Sequence, residues 1–145
     1  MLTIEKVLYF KTLDLFSGVS EDALADVAKA AEEVEVEAGA DIFVAGEGCS
    51  SLYAIVSGAV RIHDGEHQIA RFGEREAFGI RCALDPHDRA TNATAVERCL
   101  LLRLEHGVLM ELIAEDIELA THIIRNLSRR LGGVEDAVFR ETPLI

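Results

Sequence analysis

The chain has 145 residues, of which half are hydrophobic and 28% are charged, and this balance predicts one globular domain with one core. Its formal net charge is -12 and its pI is about 4.7, which argues against a nucleic-acid-binding surface, because phosphates need clustered Lys and Arg. No apolar run approaches the roughly 20 residues of a membrane span, and the first residues lack the layout of a signal peptide.

Residues 1–32 are predicted to form a helical lead-in. Apolar residues three and four apart within residues 2–8 indicate a short first helix. Ser20 is a favourable N-cap for a second helix, because its side-chain oxygen can accept from a backbone N–H of the first turn. Glu21 and Asp22 follow it, at the positively polarised end of that helix.

Residues 33–105 carry the periodicity of β-strands. Short stretches with alternating or continuous apolar residues recur at near-regular spacing, with glycine-containing turns between them. Asp64-Gly65 is a strong signal for a two-residue hairpin turn. The pattern predicts an α+β, mainly β fold, namely a double-stranded β-helix or jelly-roll barrel with helices before and after it. The predicted strand segments are 33–37, 42–44, 52–56, 60–62, 68–72, 93–96 and 100–104.

Residues 106–132 are predicted to form two C-terminal helices, a B helix followed by a C helix. Apolar residues of the first helix form one face over 108–113, and the second helix is predicted from about Asp116. The pair Gly132-Gly133 is expected to end the second helix. Residues 133–145 would then be a tail of weak periodicity.

The second C-terminal helix has a seam of apolar residues that alternate in steps of three and four, as in a short coiled coil. A second apolar stripe contains Leu119 and Ile123, so one helix can pack on the barrel and also pair two chains. We favour a homodimer through the seam. The seam residues are Ile117, Ala120, Ile124, Leu127 and Leu131.

Two segments of the strand region carry recognisable motifs. Residues 43–48 read Phe-Val-Ala-Gly-Glu-Gly, and residues 52–60 read Leu-Tyr-Ala-Ile-Val-Ser-Gly-Ala-Val. They resemble the Phe-x-Glu-Gly-Asp turn and the Leu-Tyr-x-Ile-x-x-Gly-x-Val strand of cyclic nucleotide-binding domains, found in catabolite-activator-type regulators, kinase regulatory subunits and gated channels. The resemblance covers nearly the whole chain and implies a regulatory, ligand-sensing role.

Residues 78–94 correspond to the phosphate-binding cassette of that family. In the family, the cassette begins Phe-Gly-Glu and ends Arg-x-Ala-Thr or Arg-x-Ala-Ser; the Glu accepts from the ribose hydroxyl, and the Arg and helix-start amides hold the cyclic phosphate. Here Ile80 stands in place of the Glu and Thr91 in place of the Arg. The resemblance therefore implies a degenerate cassette that binds cAMP or cGMP weakly or not at all. The candidate ligand-binding residues are Gly79, Ile80, Arg81, Cys82, Ala83, Arg89, Thr91, Asn92, Ala93 and Thr94.

Two arginines offer a replacement for the missing charge. Arg89 lies two residues before Thr91, so a shifted loop would bring it to the phosphate position, and Arg81 follows Ile80 and can face the pocket. The simpler interpretation makes both of them solvated loop residues. An inward arginine would let the pocket hold another anion, such as a different nucleotide or a carboxylate.

The remaining polar residues give no support for catalysis or metal binding. Cys49, Cys82 and Cys99 are expected to be reduced thiols, because three cannot all pair within one chain and no CxxC spacing is present. His63 and His67 flank the hairpin turn and raise the alternative of a metal, but hairpin tips are commonly polar. We expect no metal, no cofactor apart from a possible nucleotide ligand, and no enzymatic activity.

The sequence therefore predicts a non-enzymatic regulatory sensing module, with a structural or dimerisation module around an empty pocket as the alternative. Its expected partners are an anionic small molecule and a second copy, without direct nucleic-acid contact. Residues 2–11 also look like the linker of bacterial proteins that join this domain to HEAT repeats and a nucleotide-translocase-like membrane part. The expected location is cytoplasmic, either free or at the cytoplasmic face of a membrane.

Overall fold

The predicted lead-in helices are present and pack against each other. The computed structural model describes the backbone of residues 1–141 and the side chains of residues 1–137. Helix α1 spans Thr3–Phe10, a 3-10 turn spans Asp14–Phe16, and helix α2 spans Glu21–Ala30. The side-chain oxygen of Ser20 accepts a 3.2 Å hydrogen bond from the amide of Ala23, so the predicted N-cap is confirmed.

The strand region forms two four-stranded antiparallel sheets and one short two-stranded ladder. The first sheet has the order β1-β10-β4-β7, the second β2-β9-β5-β6, and the ladder joins β3 to β8. This arrangement is the predicted jelly-roll barrel with flanking helices. The strands are β1 Glu32–Val36, β2 Asp41–Phe43, β3 Gly48–Cys49, β4 Ser51–Ser57, β5 Val60–Asp64, β6 His67–Phe72, β7 Ala77–Phe78, β8 His87–Asp88, β9 Asn92–Ala95 and β10 Cys99–Glu105.

The central strands β4 and β10 read as nearly continuous apolar runs because both of their faces are buried. Ile55 and Leu101 point into the barrel, where they join a cluster that also holds Phe43 and Phe78. Leu102 belongs instead to the larger core under the helices. Alternate side chains of one strand face opposite sides of its sheet, so one strand serves both cores.

Two helices follow the barrel, α4 over His106–Glu115 and α5 over Ile117–Glu141, with the short helix α3 over Ile80–Leu84 earlier in the chain. The expectation that Gly132-Gly133 end the last helix is wrong, because α5 continues through them to Glu141. A glycine costs only about 1 kcal/mol in a helix interior, so a pair of glycines need not stop one. Residues 133–141 of the predicted tail are thus helical, and 142–145 lie outside the described residues.

A buried amide ties α5 to the lead-in. The side-chain nitrogen of Asn126 donates hydrogen bonds to the backbone carbonyls of Leu15 at 2.8 Å and Ser17 at 3.0 Å. Leu119 and Ile123, the predicted second stripe, are buried against the same core. Across residues 1–141, no helix combines the length and hydropathy that crossing a membrane requires.

Candidate functional site

The cassette segment, residues 78–94, leaves the barrel through a glycine that no other residue can replace without strain. Gly79 has a φ of +90° and directly precedes α3. A Cβ at this position would lie 2.4 Å from the carbonyl oxygen of Ser51 on β4. Such a separation is shorter than van der Waals contact, and a left-handed φ already disfavours other side chains. Gly79 therefore sets the path of the cassette across the barrel wall.

Three of the predicted site residues in α3 do not face the barrel interior. Ile80 is half-buried and packs against the core under the helices, Ala83 is fully buried in that core, and Arg81 is exposed to solvent. The side chain that replaces the family's glutamate thus reinforces hydrophobic packing. In this structure, α3 contributes packing to the site and no charged contact.

Arg89 is the predicted residue that the structure brings to the barrel mouth. Its guanidinium carbon lies 3.4 Å from the centre of the Phe43 ring, in cation–π contact. Its backbone is held on both sides, since its amide donates to the carbonyl of Glu47 at 2.8 Å and its carbonyl accepts from the amide of Gly46 at 2.9 Å. The position of this arginine is therefore fixed by the turn of residues 46–47.

The Arg89 guanidinium is half-buried and incompletely satisfied. Its Nε is buried without a hydrogen-bond partner, and no carboxylate of the described residues lies within ion-pair distance of it. Burial lowers the pKa of this guanidinium, while the charges of Tyr53 and Glu47 act in the opposite direction. A desolvated cation with spare donors is a suitable partner for an anion.

Aromatic rings form the floor beneath this arginine. The Phe78 ring stacks on Tyr53 at a centroid distance of 5.5 Å and on Phe72 at 5.8 Å, and its centroid lies 6.1 Å from that of Phe43. Phe43 and Phe78 are buried in the barrel core, and Tyr53 and Phe72 pack against them. Stacked rings favour a planar group, such as a base, over a hydrated ion. Sequence reasoning identified the motifs around these rings but not their common surface.

The last predicted site residues belong to β9, and their polar groups are engaged within the protein. Asn92 accepts from the amide of Ala45 at 2.9 Å through its side-chain oxygen and donates to the carbonyl of His63 at 3.3 Å. Thr94 donates to a carboxylate oxygen of Asp41 at 2.7 Å. Ala93 is buried in the barrel. These contacts hold β9 against β2 and β5. Thr91, half-buried, immediately precedes them.

The expectation that all three cysteines are reduced is wrong. Cys49 of β3 and Cys82 of α3 form a disulfide across a sequence separation of 33 residues, with their Cα atoms 5.4 Å apart. Cys99 is the free and buried thiol. The pairing was not visible in the sequence, because nothing local relates two cysteines so far apart. It depends on the approach of α3 to the β3–β8 ladder.

The disulfide has a histidine beside it, and these three residues are the one group in the described part of the chain close enough to share a metal ion. His87 lies on β8 opposite Cys49, and its Nε2 is 3.8 Å from the sulfur of Cys82. The two sulfurs are bonded to each other, so neither is a thiolate ligand here. The hairpin histidine His63 is instead buried and contacts Thr94 and the carbonyl of Gly65.

The end of α3 is coupled to the C-terminal helices. His106, the first residue of α4, contacts the carbonyl of Ala83 through Nδ1 at 2.6 Å, so this nitrogen carries the hydrogen and donates it. Leu84 lines an apolar cavity of about 240 Å³ together with Met110 of α4 and Ile124 of α5. A movement of α3 would therefore change its contacts with both α4 and α5.

The predicted dimer seam is partly exposed, at the edge of the cavity that α5 forms with α3 and α4. The side chains of Ile117, Ile124 and Leu131 are 80%, 65% and 59% exposed, respectively. Ala120 and Leu127, which alternate with them, are half-buried. Exposed apolar residues at heptad spacing form the kind of stripe that coiled-coil partners cover.

Comparison with known proteins gives consistent results. A family model described as "Cyclic nucleotide-binding domain" matches residues 33–116. The CRP-like cAMP-activated global transcriptional regulator of Mycobacterium tuberculosis is 30% identical over 138 residues, covering 89% of this chain and 62% of that protein. The potassium channel KAT1 of Oryza sativa is 30% identical over 121 residues, which cover 81% of this chain and 17% of the channel. The chain thus spans less than two thirds of either relative.

Solved structures with the same fold are similar over most of this chain. The N-terminal domain of a transcriptional regulator from Streptomyces coelicolor has a TM-score of 0.78 and 29% identity, with coverage of 86% of this chain and 92% of that one. The catabolite activator protein of Thermus thermophilus has a TM-score of 0.74 and 28% identity, with coverage of 89% of this chain and 63% of that one.

Proposed function

The chain belongs to the cyclic nucleotide-binding domain family, and from that membership we propose that it is a non-enzymatic regulatory module that senses an anionic small molecule at the cassette segment. The ligand class is a nucleotide or a similar anion with a planar group. Its charge meets Arg89, and its planar group meets the aromatic floor of Phe43, Phe78, Tyr53 and Phe72. The members of the family that match this chain are named as regulators and channels.

The observation that carries the proposal is the state of Arg89. A half-buried cation without a carboxylate partner among the described residues is costly to maintain, unless something else compensates it. A phosphate or carboxylate would supply the missing charge and accept from the unpartnered Nε. In the family, the corresponding charge comes from an arginine at the position of Thr91, two residues later in this chain. The proposal is that Arg89 takes its place.

The replacement of the family's glutamate by Ile80 argues for an altered ligand specificity. The family's glutamate accepts from the ribose hydroxyl, and Ile80 has no group that can do so. Removal of one partner of a buried charged pair typically costs about 3 kcal/mol or more, which corresponds to a loss of roughly a hundredfold in affinity. We therefore expect cAMP and cGMP to bind weakly or not at all in the usual orientation. Of the other predicted cassette residues, Arg81 is exposed, Ala83 is buried in the core under the helices and Cys82 is in the disulfide, so we assign the charged contact to Arg89.

The proposed output is a rearrangement of the C-terminal helices. Ligand contact at Arg89 would shift the cassette, and α3 would transmit the shift to α4 through the Ala83–His106 hydrogen bond. We propose a homodimer through the α5 seam and a cytoplasmic location. Attachment to an output domain, including the HEAT-repeat type that residues 2–11 resemble, stays a prediction.

The test is a thermal-shift titration of the full chain with cAMP, cGMP, cyclic dinucleotides, ATP and ADP. A ligand that binds the native state stabilises it by about 2.7 kcal/mol at a hundred times its dissociation constant, and the melting temperature rises accordingly. A saturable rise with one of these nucleotides supports the sensor. No rise with any of them at millimolar concentration contradicts it.

A second experiment tests the degenerate cassette. The double variant Ile80→Glu and Thr91→Arg restores both charged groups of the family, and we expect its affinity for cAMP or cGMP to rise by roughly tenfold or more. The uncharged pair Ile80→Gln and Thr91→Met is the matched control and should not gain affinity. Wild-type protein that already binds cAMP at micromolar concentration would refute the claim that the cassette is degenerate.

The alternative function is structural, and the exposed seam of α5 favours it. In that case the barrel is a rigid body that positions the seam, and no nucleotide binds. The sensor and the structural module predict different results in the thermal-shift titration, while both require the homodimer. A dimer that forms without any nucleotide response would support the structural module.

A further inference from the structure

Three side chains from separate segments converge beside the cassette. Cys49 on β3 and His87 on β8 are cross-strand partners, and Cys82 on α3 completes the disulfide with Cys49. The pair is buried, but a surface cavity of about 400 Å³ reaches Cys49 and is also lined by His87 and Asp88. Cys49 lines that cavity and Cys82 does not, so a small reagent in the cavity would approach Cys49 first.

The hydrogen bonds of His87 determine which nitrogen faces the sulfur. Its Nδ1 lies 2.8 Å from the carbonyl oxygen of Asp85. A carbonyl only accepts, so Nδ1 carries the hydrogen, and in the neutral ring Nε2 has a free lone pair. That lone pair lies 3.8 Å from the sulfur of Cys82. The geometry allows His87 to take the proton from Cys82 when the thiol is reduced.

We propose that Cys49 and Cys82 are a reversible thiol–disulfide exchange site, with Cys49 as the exchanging cysteine, Cys82 as the resolving cysteine and His87 as its base. The co-reactant is a small disulfide, RS–SR. The Cys49 thiolate attacks one sulfur of RS–SR, a mixed disulfide forms, and the first RS⁻ leaves and takes the proton lost by Cys49. His87 then removes the proton of Cys82, and the Cys82 thiolate attacks the Cys49 sulfur.

The second step releases another RS⁻, which receives the proton from His87. Both cysteines are then oxidised and one RS–SR has become two RSH, so two electrons and two protons are accounted for. Reduction runs through the same steps in reverse. In a chain whose expected location is cytoplasmic, a disulfide is commonly transient or redox-sensing.

The redox state would control the order of the cassette. The disulfide links α3 to the β3–β8 ladder. The residues next to this ladder, Gly46 and Glu47 before β3 and Arg89 after β8, make the two backbone hydrogen bonds that hold Arg89. Reduction removes the covalent link and leaves α3, which has only five residues, attached by packing and by the hydrogen bond from His106 to the carbonyl of Ala83. We expect the segment 80–91 to open more often in the reduced protein.

The first measurement equilibrates the full chain with mixtures of reduced and oxidised glutathione, followed by acid trapping, alkylation and mass spectrometry. Cys49 and Cys82 are expected to change state together, while Cys99 stays reduced and serves as the internal control. Hydrogen exchange of the two end states is then compared. We expect at least about threefold faster exchange in residues 80–91 after reduction, without a change in α1 or α2.

The second measurement separates the role of His87 from a merely structural one. In His87→Gln the resolving step is expected to slow by about tenfold, so that glutathione accumulates on Cys49 as a mixed disulfide. The matched control is His67→Gln in an exposed strand, which should close the disulfide at the wild-type rate. Cys82→Ser should hold the mixed disulfide permanently, and this variant identifies Cys49 as the site of attack.

Several outcomes would overturn the proposal. A pair that stays reduced in fully oxidised glutathione, or that resists reduction until the protein unfolds, is not a reversible site. Equal hydrogen exchange of residues 80–91 in both states removes the link to the cassette. Stoichiometric Zn²⁺ bound by the reduced protein and lost in Cys82→Ser would make the three residues a metal site instead.

Discussion

The guanidinium of Arg89 lies over the ring of Phe43, with 3.4 Å between its central carbon and the ring centre. Phe43 ends β2 and Arg89 follows β8, so the contact joins the start of the barrel to the end of the cassette. The aromatic face supports the cation, but it supplies no full negative charge, and Nε remains without a partner. This pair is the strongest feature of the candidate site, and it leads to the first prediction.

Replacement of Arg89 by Ala should weaken nucleotide binding. We expect the affinity for whichever nucleotide gives the largest thermal shift to fall by roughly tenfold or more, because a charge-assisted hydrogen bond to an anion contributes about 1.5 kcal/mol or more. Arg81→Ala removes the same charge from an exposed position of the same segment and should change the affinity by less than about twofold. Isothermal titration calorimetry of both variants checks this. Equal losses in the two variants would exclude a specific role for Arg89.

The variants Gly79→Ala and Gly46→Ala form a matched pair. They test whether the close approach of Gly79 to β4 adds to the cost of its backbone conformation. Both glycines have a φ of +90°, but a Cβ at Gly46 would meet nothing within 4 Å, whereas one at Gly79 would lie 2.4 Å from the carbonyl oxygen of Ser51. The backbone conformation alone should cost Gly46→Ala about 1 kcal/mol of unfolding free energy. Gly79→Ala should lose about 3 kcal/mol or more. Urea denaturation measures the difference, and similar losses would show that the clash relaxes.

Ile124→Glu should convert the proposed homodimer into a monomer. Ile124 is 65% exposed at the centre of the seam, and in a two-fold dimer the substitution places two charges in one interface. Ile69→Glu is the control, since Ile69 is an apolar residue that is 54% exposed on β6 and does not belong to the seam. Sedimentation velocity over a concentration series measures both variants. Wild-type protein that remains monomeric throughout the series would refute the homodimer itself.

Asn126→Asp should detach α5 from the lead-in. The amide nitrogen of Asn126 donates to the carbonyls of Leu15 and Ser17, and a carboxylate in its place has no donor and faces two carbonyl oxygens. We expect a loss of about 2 kcal/mol or more of unfolding free energy at neutral pH. Ser128→Asp adds the same charge at an exposed position of the same helix and should cost about 0.5 kcal/mol or less. Thermal and urea unfolding check the pair. A wild-type stability of Asn126→Asp would mean that the guanidinium of Arg129, which donates to Oδ1 of Asn126 at 3.0 Å, compensates the new carboxylate.

Local sequence patterns predicted most of the fold. Ser20 caps α2, and the apolar runs of β4 and β10 form the centre of one sheet. The β5–β6 hairpin forms as predicted, but its two turn residues are Gly65 and Glu66, because Asp64 ends β5 and pairs with His67. Each of these follows from interactions between residues that are near in sequence, or from a periodicity that assigns side chains to one face. The same patterns failed at Gly132-Gly133, where the helix continues although the local propensity is poor.

Residue order alone was enough to predict the succession of helices and strands, the resemblance of residues 43–60 to one family, and the replacement of two charged groups by Ile80 and Thr91. The folded chain was needed to see that Cys49 and Cys82 are bonded, that Arg89 lies on Phe43 while Arg81 is exposed, and that the side chain of Ile124 is mostly exposed. Periodicity and turn chemistry act over a few residues, whereas contacts between distant segments depend on the packing of the whole barrel and its helices.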